Sequence, residues 1–171
     1  MDVILIGYRG TGKTTVARLL AARFNVDWWD ADQEIQRRAG KTIKEIFTDE
    51  GEAGFRIREE QVIAELVQPA RGILAVGGGA ILRSENRGAL RSAVVVWLTA
   101  QPRTIYTRVV DDPVSRSQRP NLTTSGGIRE IEAILAEREP LYRRCADHIV
   151  STECKTAEQV ATEIVCLLSD P

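Results

Sequence analysis

The octapeptide GYRGTGKT at positions 7–14 constrains the fold more than any other segment, and it follows the short apolar run VILI at 3–6. It matches the pattern G-x-x-x-x-G-K-[ST], in which glycines let the backbone curl so that amides point at a phosphate. The pattern belongs between a buried strand and a helix, whose N-terminus adds its positive dipole end. A helical pattern runs from Lys13 to about Phe24. The segment therefore predicts a nucleoside triphosphate site in an α/β protein, whereas a plain glycine-rich turn is the alternative.

The polar residues of this segment have expected partners on the triphosphate. Lys13 is expected to contact the β- and γ-phosphates, and the Thr14 hydroxyl to bind Mg²⁺. The residues expected to hold the nucleotide here are Gly10, Thr11, Gly12, Lys13, Thr14 and Thr15.

Strand and helix patterns alternate along the whole chain. Besides 3–6, strands are predicted at 26–29, 72–76, 93–98 and 148–151. Helices are predicted at 13–24, 32–39, 42–48, 52–67, 80–91, 101–110, 128–143 and 156–168. The run AVVVWL at 93–98 is continuous and β-branched, as in a sheet that is covered on both faces. This alternation predicts a three-layer α/β/α fold with a parallel sheet of five strands.

Length and charge set the class of protein. The 171 residues are enough for one domain, 1–171, and the formal net charge of −1 favours neither a nucleic acid nor an anionic membrane as partner. No apolar run approaches the length of a membrane span, and no signal-peptide pattern is found. Cys145, Cys154 and Cys166 lack paired metal spacing and suggest free thiols in a reducing cytoplasm, and His148, the single histidine, is expected to be structural.

A second glycine cluster, AVGGGAI at 75–81, ends the third predicted strand. In many enzymes with this phosphate loop, the neighbouring strand ends in an acid that serves Mg²⁺, so here the acid must come from elsewhere. Without side chains, Gly77, Gly78 and Gly79 leave room for a second substrate, their amides can donate to its oxygens, and the following helix offers another positive end. A tight turn into a helix is the alternative.

Asp30 is the candidate for that acid, because it follows the strand at 26–29 and ligands bind beyond the carboxyl ends of parallel strands. It can hold Mg²⁺ through water or accept a proton from an acceptor hydroxyl. The alternative is that Asp30 is simply a helix N-cap.

Four arginines are candidates for anion binding. Arg56 and Arg138 lie in helical patterns, where an arginine is often only a solvated charge. Arg116 and Arg119 lie in the polar stretch 111–127, and long loops are often lids. A lid arginine would neutralise charge on the transferring phosphoryl group and help to exclude water, whereas an exposed loop is the alternative.

Taken together, these segments resemble the shikimate kinases over nearly the whole chain. The segments that occur in that family's order, at close to its spacing, are GYRGTGKTT, DADQEI, GEAGFRIREE, VGGGAI, QRP and EREPLY. The resemblance implies a sheet of the nucleoside-monophosphate-kinase type, a mobile lid at about 111–125 and an acceptor region at about 30–60. It also implies that ATP phosphorylates the 3-hydroxyl of shikimate with Mg²⁺, in a cytoplasmic monomer.

The resemblance assigns roles to single positions. Asp30 matches the family's acid near Mg²⁺ and the acceptor, Arg119 its lid arginine, and Lys155 the loop on the adenine side. The positions that match its shikimate-binding residues are Asp32, Arg56, Gly77, Gly78, Gly79 and Arg138. With Lys13, Asp30 and Arg119 form the implied catalytic set.

The lid departs from the family's pattern. Leucines usually follow its Arg-Pro pair, whereas NLTTSGG stands here, and the segment between Arg108 and Arg119 is longer than usual. The choice between Arg116 and Arg119 therefore stays open. Two other functions stay in view, another small-molecule kinase of the gluconate or nucleotide type and a catalytically silent nucleotide-binding module.

Overall fold

A computed structural model describes residues 3–68, 72–111 and 127–169. Within these ranges, five parallel strands form one sheet in the order β2-β3-β1-β4-β5. The strands are β1 (Val3–Ile6), β2 (Asp27–Asp30), β3 (Gly72–Ala75), β4 (Val94–Thr99) and β5 (His148–Ser151). The predicted parallel sheet is confirmed. Most of the predicted lid, including Arg116 and Arg119, lies outside the described residues.

The helices follow the predicted order, with one difference inside them. They are α1 (Lys13–Phe24), α2 (Ala31–Ala39), α3 (Ile43–Leu66), a 3₁₀ turn (Ala80–Leu82), α4 (Ser84–Leu90), α5 (Pro102–Asp111), α6 (Ile128–Cys145) and α7 (Ala157–Ser169). The helices predicted at 42–48 and 52–67 are both present as the two halves of α3, which meet at a kink where Gly51 is non-helical, with φ at 69° and ψ at −177°. The helix predicted at 80–91 is interrupted at Arg83, which is extended.

Helices cover both faces of the sheet. In β4, Val95 and Trp97 belong to the core under α2, α3, α4 and α6, whereas Val96 and Leu98 belong to the core under α1 and α7. Side chains of a strand alternate between its faces, so a strand that is covered on both sides is apolar at every position. None of the described helices is long and apolar enough to cross a membrane.

Strand register brings three functional segments to one edge of the sheet. Ala75 of β3 pairs with Leu5 on one side and with Asp30 on the other. Just beyond, the Val76 amide donates to the Leu5 carbonyl at 3.1 Å. The phosphate loop, the glycine turn and Asp30 therefore leave the carboxyl edge side by side, which is where open parallel sheets bind ligands.

The kink in α3 generates a stability prediction. The backbone of Gly51 lies in a region that is essentially restricted to glycine, although an added Cβ would meet no heavy atom within 4 Å. Gly51→Ala is therefore expected to lower the free energy of unfolding by about 1–3 kcal/mol through backbone strain alone. Gly88→Ala is the control, because Gly88 lies in α4 with equally open space. It should raise that free energy by roughly 0.5–1 kcal/mol. Equal urea midpoints for the two variants would contradict the prediction.

Candidate active site

Glycine conformation and two side chains shape the phosphate loop. Gly12 caps α1 with φ at 87°, and a Cβ on Gly7 would lie 2.4 Å from the Leu98 carbonyl oxygen, so that position has no room for a side chain. The Lys13 ammonium donates to the carbonyl oxygens of Gly7 at 2.8 Å and Tyr8 at 2.9 Å. The buried Thr11 hydroxyl donates to the same Tyr8 carbonyl at 2.7 Å. The side chains of Thr11 and Lys13 therefore stabilise the curved backbone of the loop, and the Lys13 ammonium lies across it.

Thr14 and Asp30 meet directly, although 15 residues separate them in the chain. The Thr14 hydroxyl donates to Oδ2 of Asp30 at 2.6 Å. The other carboxylate oxygen, Oδ1, accepts the amides of Asp32 at 3.0 Å and Gln33 at 3.2 Å, so that Asp30 is also the N-cap of α2. The N-cap interpretation of Asp30 is confirmed, and because only one oxygen caps the helix, the other is left facing the phosphate loop, where the acid role of Asp30 stays a prediction.

The Asp30 carboxyl is harder to ionise than an exposed one. Burial raises its pKa above the ordinary 3.8, and the nearby charge of Asp32 raises it further, while the hydrogen bond from Thr14 opposes both. A raised pKa next to a phosphate site suits a group that takes up a proton. The described residues contain no group of three or more His, Cys, Asp or Glu that could hold a metal. A cation bound here would therefore depend on the phosphates and water for its other oxygens.

The glycine turn lies between the phosphate loop and Arg56. A Cβ on Gly78 would lie 3.2 Å from the Gly7 carbonyl oxygen, and one on Gly79 would lie 2.4 Å from Nη2 of Arg56. A Cβ would therefore be crowded at Gly78 and would clash with the Arg56 guanidinium at Gly79. The amides of Ala80 and Leu82 donate back into the turn and form the 3₁₀ segment. The expected helix start directly after the glycines is wrong, because this 3₁₀ turn intervenes before α4.

Arg56 is buried and held rigidly against that turn. Its Nη1 donates to Glu59 at 2.7 Å, its Nη2 donates to Glu52 at 3.1 Å, and its guanidinium lies 5.3 Å from the centre of the Phe55 ring. Glu59 is fully buried, so removing Arg56 would take an ion pair from a carboxylate that water does not reach. Arg56 is therefore a fixed cation at the turn and not a solvated one.

Arg138 reaches the same turn from α6. Its Nη1 donates to the Gly78 carbonyl at 3.1 Å, and the Tyr142 hydroxyl donates to the same oxygen at 2.5 Å. Nε of Arg138 is buried and has no hydrogen-bond acceptor among the described residues. A buried donor without an acceptor costs about 1–3 kcal/mol, which a bound anion would relieve. The two predicted arginines therefore converge on one turn.

Two further residues lie apart from this turn: Lys155, which the sequence predicts as a site residue, and Arg108, which it does not. Lys155 precedes α7, where its ammonium pairs with Glu163. Arg108 of α5 donates to the Thr152 hydroxyl at 2.9 Å, to the Thr152 carbonyl at 3.0 Å and to the Gly10 carbonyl at 3.4 Å. Arg108 thus ties the phosphate loop to the loop after β5. No sequence motif indicates this role of Arg108, because its partners lie 44 and 98 residues away in the chain.

The raised pKa of Asp30 generates a prediction about stability and pH. Because the folded state holds the proton more tightly than the unfolded state, ionisation costs stability as pH rises through the folded pKa. Asp30→Asn keeps an N-cap acceptor and cannot ionise. Its unfolding free energy, relative to the unaltered protein, is expected to grow from about pH 4 upward and then to level off.

Glu45→Gln is the control for that prediction. Hydrogen bonds from the Thr42 amide and hydroxyl lower the pKa of Glu45, so its ionised form stabilises the fold. The relative unfolding free energy of Glu45→Gln should instead fall as pH rises toward the ordinary 4.5 of a glutamate, and it should be level above that pH. Urea unfolding at several pH values measures both variants. A pH-independent difference for Asp30→Asn would contradict the raised pKa.

Comparisons with known proteins agree on one family. The family model described as shikimate kinase matches residues 9–169. A shikimate kinase of Rhodopirellula baltica is 40% identical over 94% of this chain and 87% of its own length. One from Burkholderia pseudomallei is 46% identical over 89% of this chain and 81% of its own length.

Solved structures give the same result. A structure described as shikimate kinase from Acinetobacter baumannii in complex with shikimate has a TM-score of 0.92 and 36% identity, covering 98% of this chain and 92% of that one. The shikimate kinase of Aquifex aeolicus has a TM-score of 0.81 and 30% identity, covering 98% and 96%. With a family model that matches residues 9–169 and relatives that are 40% and 46% identical over most of their length, this chain belongs to the shikimate kinase family.

Proposed function

We propose that this chain transfers the γ-phosphoryl group of ATP to the 3-hydroxyl of shikimate, forming shikimate 3-phosphate and ADP. The observation that carries this proposal is the convergence of Arg56 and Arg138 on Gly78 and Gly79, directly beside a complete phosphate loop. Family membership supports it over a gluconate-type or nucleotide kinase and over a silent nucleotide-binding module. The direct test is ADP release over a panel of small hydroxy acids, in which shikimate should be the preferred acceptor.

The acceptor side suits a small polyhydroxylated carboxylate. Arg56 and Arg138 would bind the carboxylate through charge-assisted hydrogen bonds, which are stronger than neutral ones. Asp32 would accept hydrogen bonds from the acceptor hydroxyls, and the amides of the glycine turn, Gly77 to Gly79, would donate to its oxygens. Rigid placement of the buried Arg56 favours a single orientation of the acceptor.

The reaction forms a bond between the acceptor oxygen and the γ-phosphorus while the bond from that phosphorus to the β–γ bridging oxygen breaks. Asp30 would take the proton of the acceptor hydroxyl, a role that its raised pKa supports. Lys13 would stabilise the charge that develops on the transferring group and on the departing ADP.

Thr14 and Asp30 suit Mg²⁺, because that ion prefers hydroxyl, carboxylate, phosphate and water oxygens. Thr14 would bind it directly and Asp30 through water. When bound, the ion neutralises phosphate charge during transfer.

The nucleotide site extends beyond the phosphate loop. Lys155 would lie on the adenine side, next to the loop that Arg108 ties to Gly10. Arg119, outside the described residues, would close over the phosphates as the lid arginine, with Arg116 as the alternative within the same segment.

The setting proposed for this enzyme is a monomer in the cytoplasm, with small molecules as its only partners. Cys145, Cys154 and Cys166 are all free, as expected for a reducing compartment. The net charge of −1 provides no attraction for nucleic acid or an anionic membrane.

Removal of Lys13 tests the phosphate loop. Lys13→Ala is expected to lower kcat by at least about 10²–10³-fold, since it removes a donor to charge that develops in the transition state. Circular dichroism should show an unchanged fold, because the hydrogen bonds to the Gly7 and Tyr8 carbonyls that this change removes lie within the loop itself. Turnover like that of the unaltered enzyme would remove Lys13 from the mechanism.

Removal of Arg138 tests the acceptor site. Arg138→Ala is expected to weaken shikimate binding by roughly 1.5–3 kcal/mol, the scale of a lost charged hydrogen bond, and to leave ATP binding nearly unchanged. Arg56→Ala should have the same effect on shikimate, together with a loss of stability, because the buried Glu59 loses its ion pair with Arg56.

Arg58→Ala is the matched control, because Arg58 lies in the same helix as Arg56 but forms an exposed pair with Glu50. Calorimetry with shikimate and with ATP analogues measures all three variants. An effect of Arg138→Ala on nucleotide binding alone would overturn the assignment of the acceptor site.

A further inference from the structure

The phosphate loop carries two charged side chains, Lys13 and Arg9. Lys13 is assigned to the nucleotide phosphates, whereas Arg9 has no role in the proposed reaction. Its guanidinium lies 5.9 Å from the centre of the Tyr8 ring. Its Nε is buried, yet it has no hydrogen-bond acceptor among the residues that the structure describes. In contrast, each arginine of α2 and α3 pairs with a carboxylate, namely Arg37, Arg38, Arg56 and Arg58.

The backbone of Arg9 lies at the junction of the two half-sites. Its amide nitrogen is 3.4 Å from the position of a Cβ on Gly78, the residue whose carbonyl binds Arg138. Next to it, the Tyr8 ring belongs to the small core that joins α5 and α6, with Ile105, Ile131 and Ile134. That packing fixes the loop from which the Arg9 side chain leaves, between the phosphate site and the acceptor turn.

The other cations near this junction already have assigned partners. Lys13 lies across the loop, on the carbonyls of Gly7 and Tyr8, and is assigned to the nucleotide phosphates. Arg56 and Arg138 are assigned to the acceptor carboxylate. During transfer, a phosphoryl group crosses from the loop to the acceptor, and its oxygens then need donors on the acceptor side. A guanidinium presents five donors in a planar fork that fits phosphate oxygens.

We propose that Arg9 binds the phosphoryl group as it reaches the acceptor and then holds the phosphate of the phosphorylated product. This inference rests on the proposed function. It assigns Arg9 to a phosphate ester on the acceptor side, and neither to the acceptor carboxylate nor to the nucleotide.

The test compares the affinities of shikimate and shikimate 3-phosphate by calorimetry, with ADP titrated separately. Arg9→Gln should weaken shikimate 3-phosphate binding by about tenfold or more, the scale of a lost charged hydrogen bond. Its affinities for shikimate and ADP should change much less, and kcat should fall. Arg9→Lys, which keeps the charge without the fork, should lie between Arg9→Gln and the unaltered enzyme. Arg58→Gln, in an exposed pair away from the loop, should leave all three affinities unchanged.

Several outcomes would overturn the inference. Equal losses for shikimate and its phosphate would make Arg9 a ligand of the unphosphorylated acceptor. A loss confined to ADP would make it a nucleotide residue, and unchanged affinities would leave it without a part in binding. If Arg9→Gln fails to fold, the ratio of the two affinities in Arg9→Lys decides. If the unaltered protein binds neither shikimate nor its phosphate, the proposed function itself fails.

Discussion

The close approach of Gly78 and Gly79 to their neighbours is the contact on which the candidate site depends. The phosphate loop packs on Gly78, where a Cβ would be crowded. The guanidinium of Arg56 packs on Gly79, where a Cβ would clash with it. The Gly78 carbonyl in turn anchors α6 through Arg138 and Tyr142. One turn therefore joins the part of the molecule that holds phosphates to the part that holds arginines. Phosphoryl transfer needs this proximity, because donor and acceptor must meet within a few ångströms.

The same region stores unfavourable interactions that ligands would relieve. Burial opposes the charge on Asp30, and two guanidinium nitrogens, on Arg9 and Arg138, are buried without acceptors in the described part of the chain. A buried ion pair such as that of Arg56 and Glu59 adds little net stability, since desolvation offsets the attraction. The two guanidinium nitrogens suit a site for anions, and the Asp30 carboxyl suits a proton or a cation, at some cost to the stability of the free protein.

Local chemistry explains which features were predictable. The phosphate loop is recognisable because a short stretch of backbone must bend in one way around a phosphate, and only a few residue types allow it. Asp30 was open between two roles, and the structure shows the N-cap on one carboxylate oxygen, whereas the other oxygen contacts Thr14 of the phosphate loop, so that the cap does not exclude the second role. The helix expected right after the glycines was wrong at its start, since helical periodicity does not distinguish a 3₁₀ turn and a break at Arg83 from a continuous helix.

By itself, the sequence determined the strand and helix order, the phosphate loop and the resemblance that names Asp32, Arg56 and Arg138, because these depend on neighbours within one element or one motif. Only the tertiary structure decided what the glycines approach, that Tyr142 and Arg138 share the carbonyl of Gly78, and that Arg108 spans two loops. The hydrogen bonds among these contacts join residues 44 to 98 positions apart. Their geometry follows from strand register and helix packing, which no local pattern specifies.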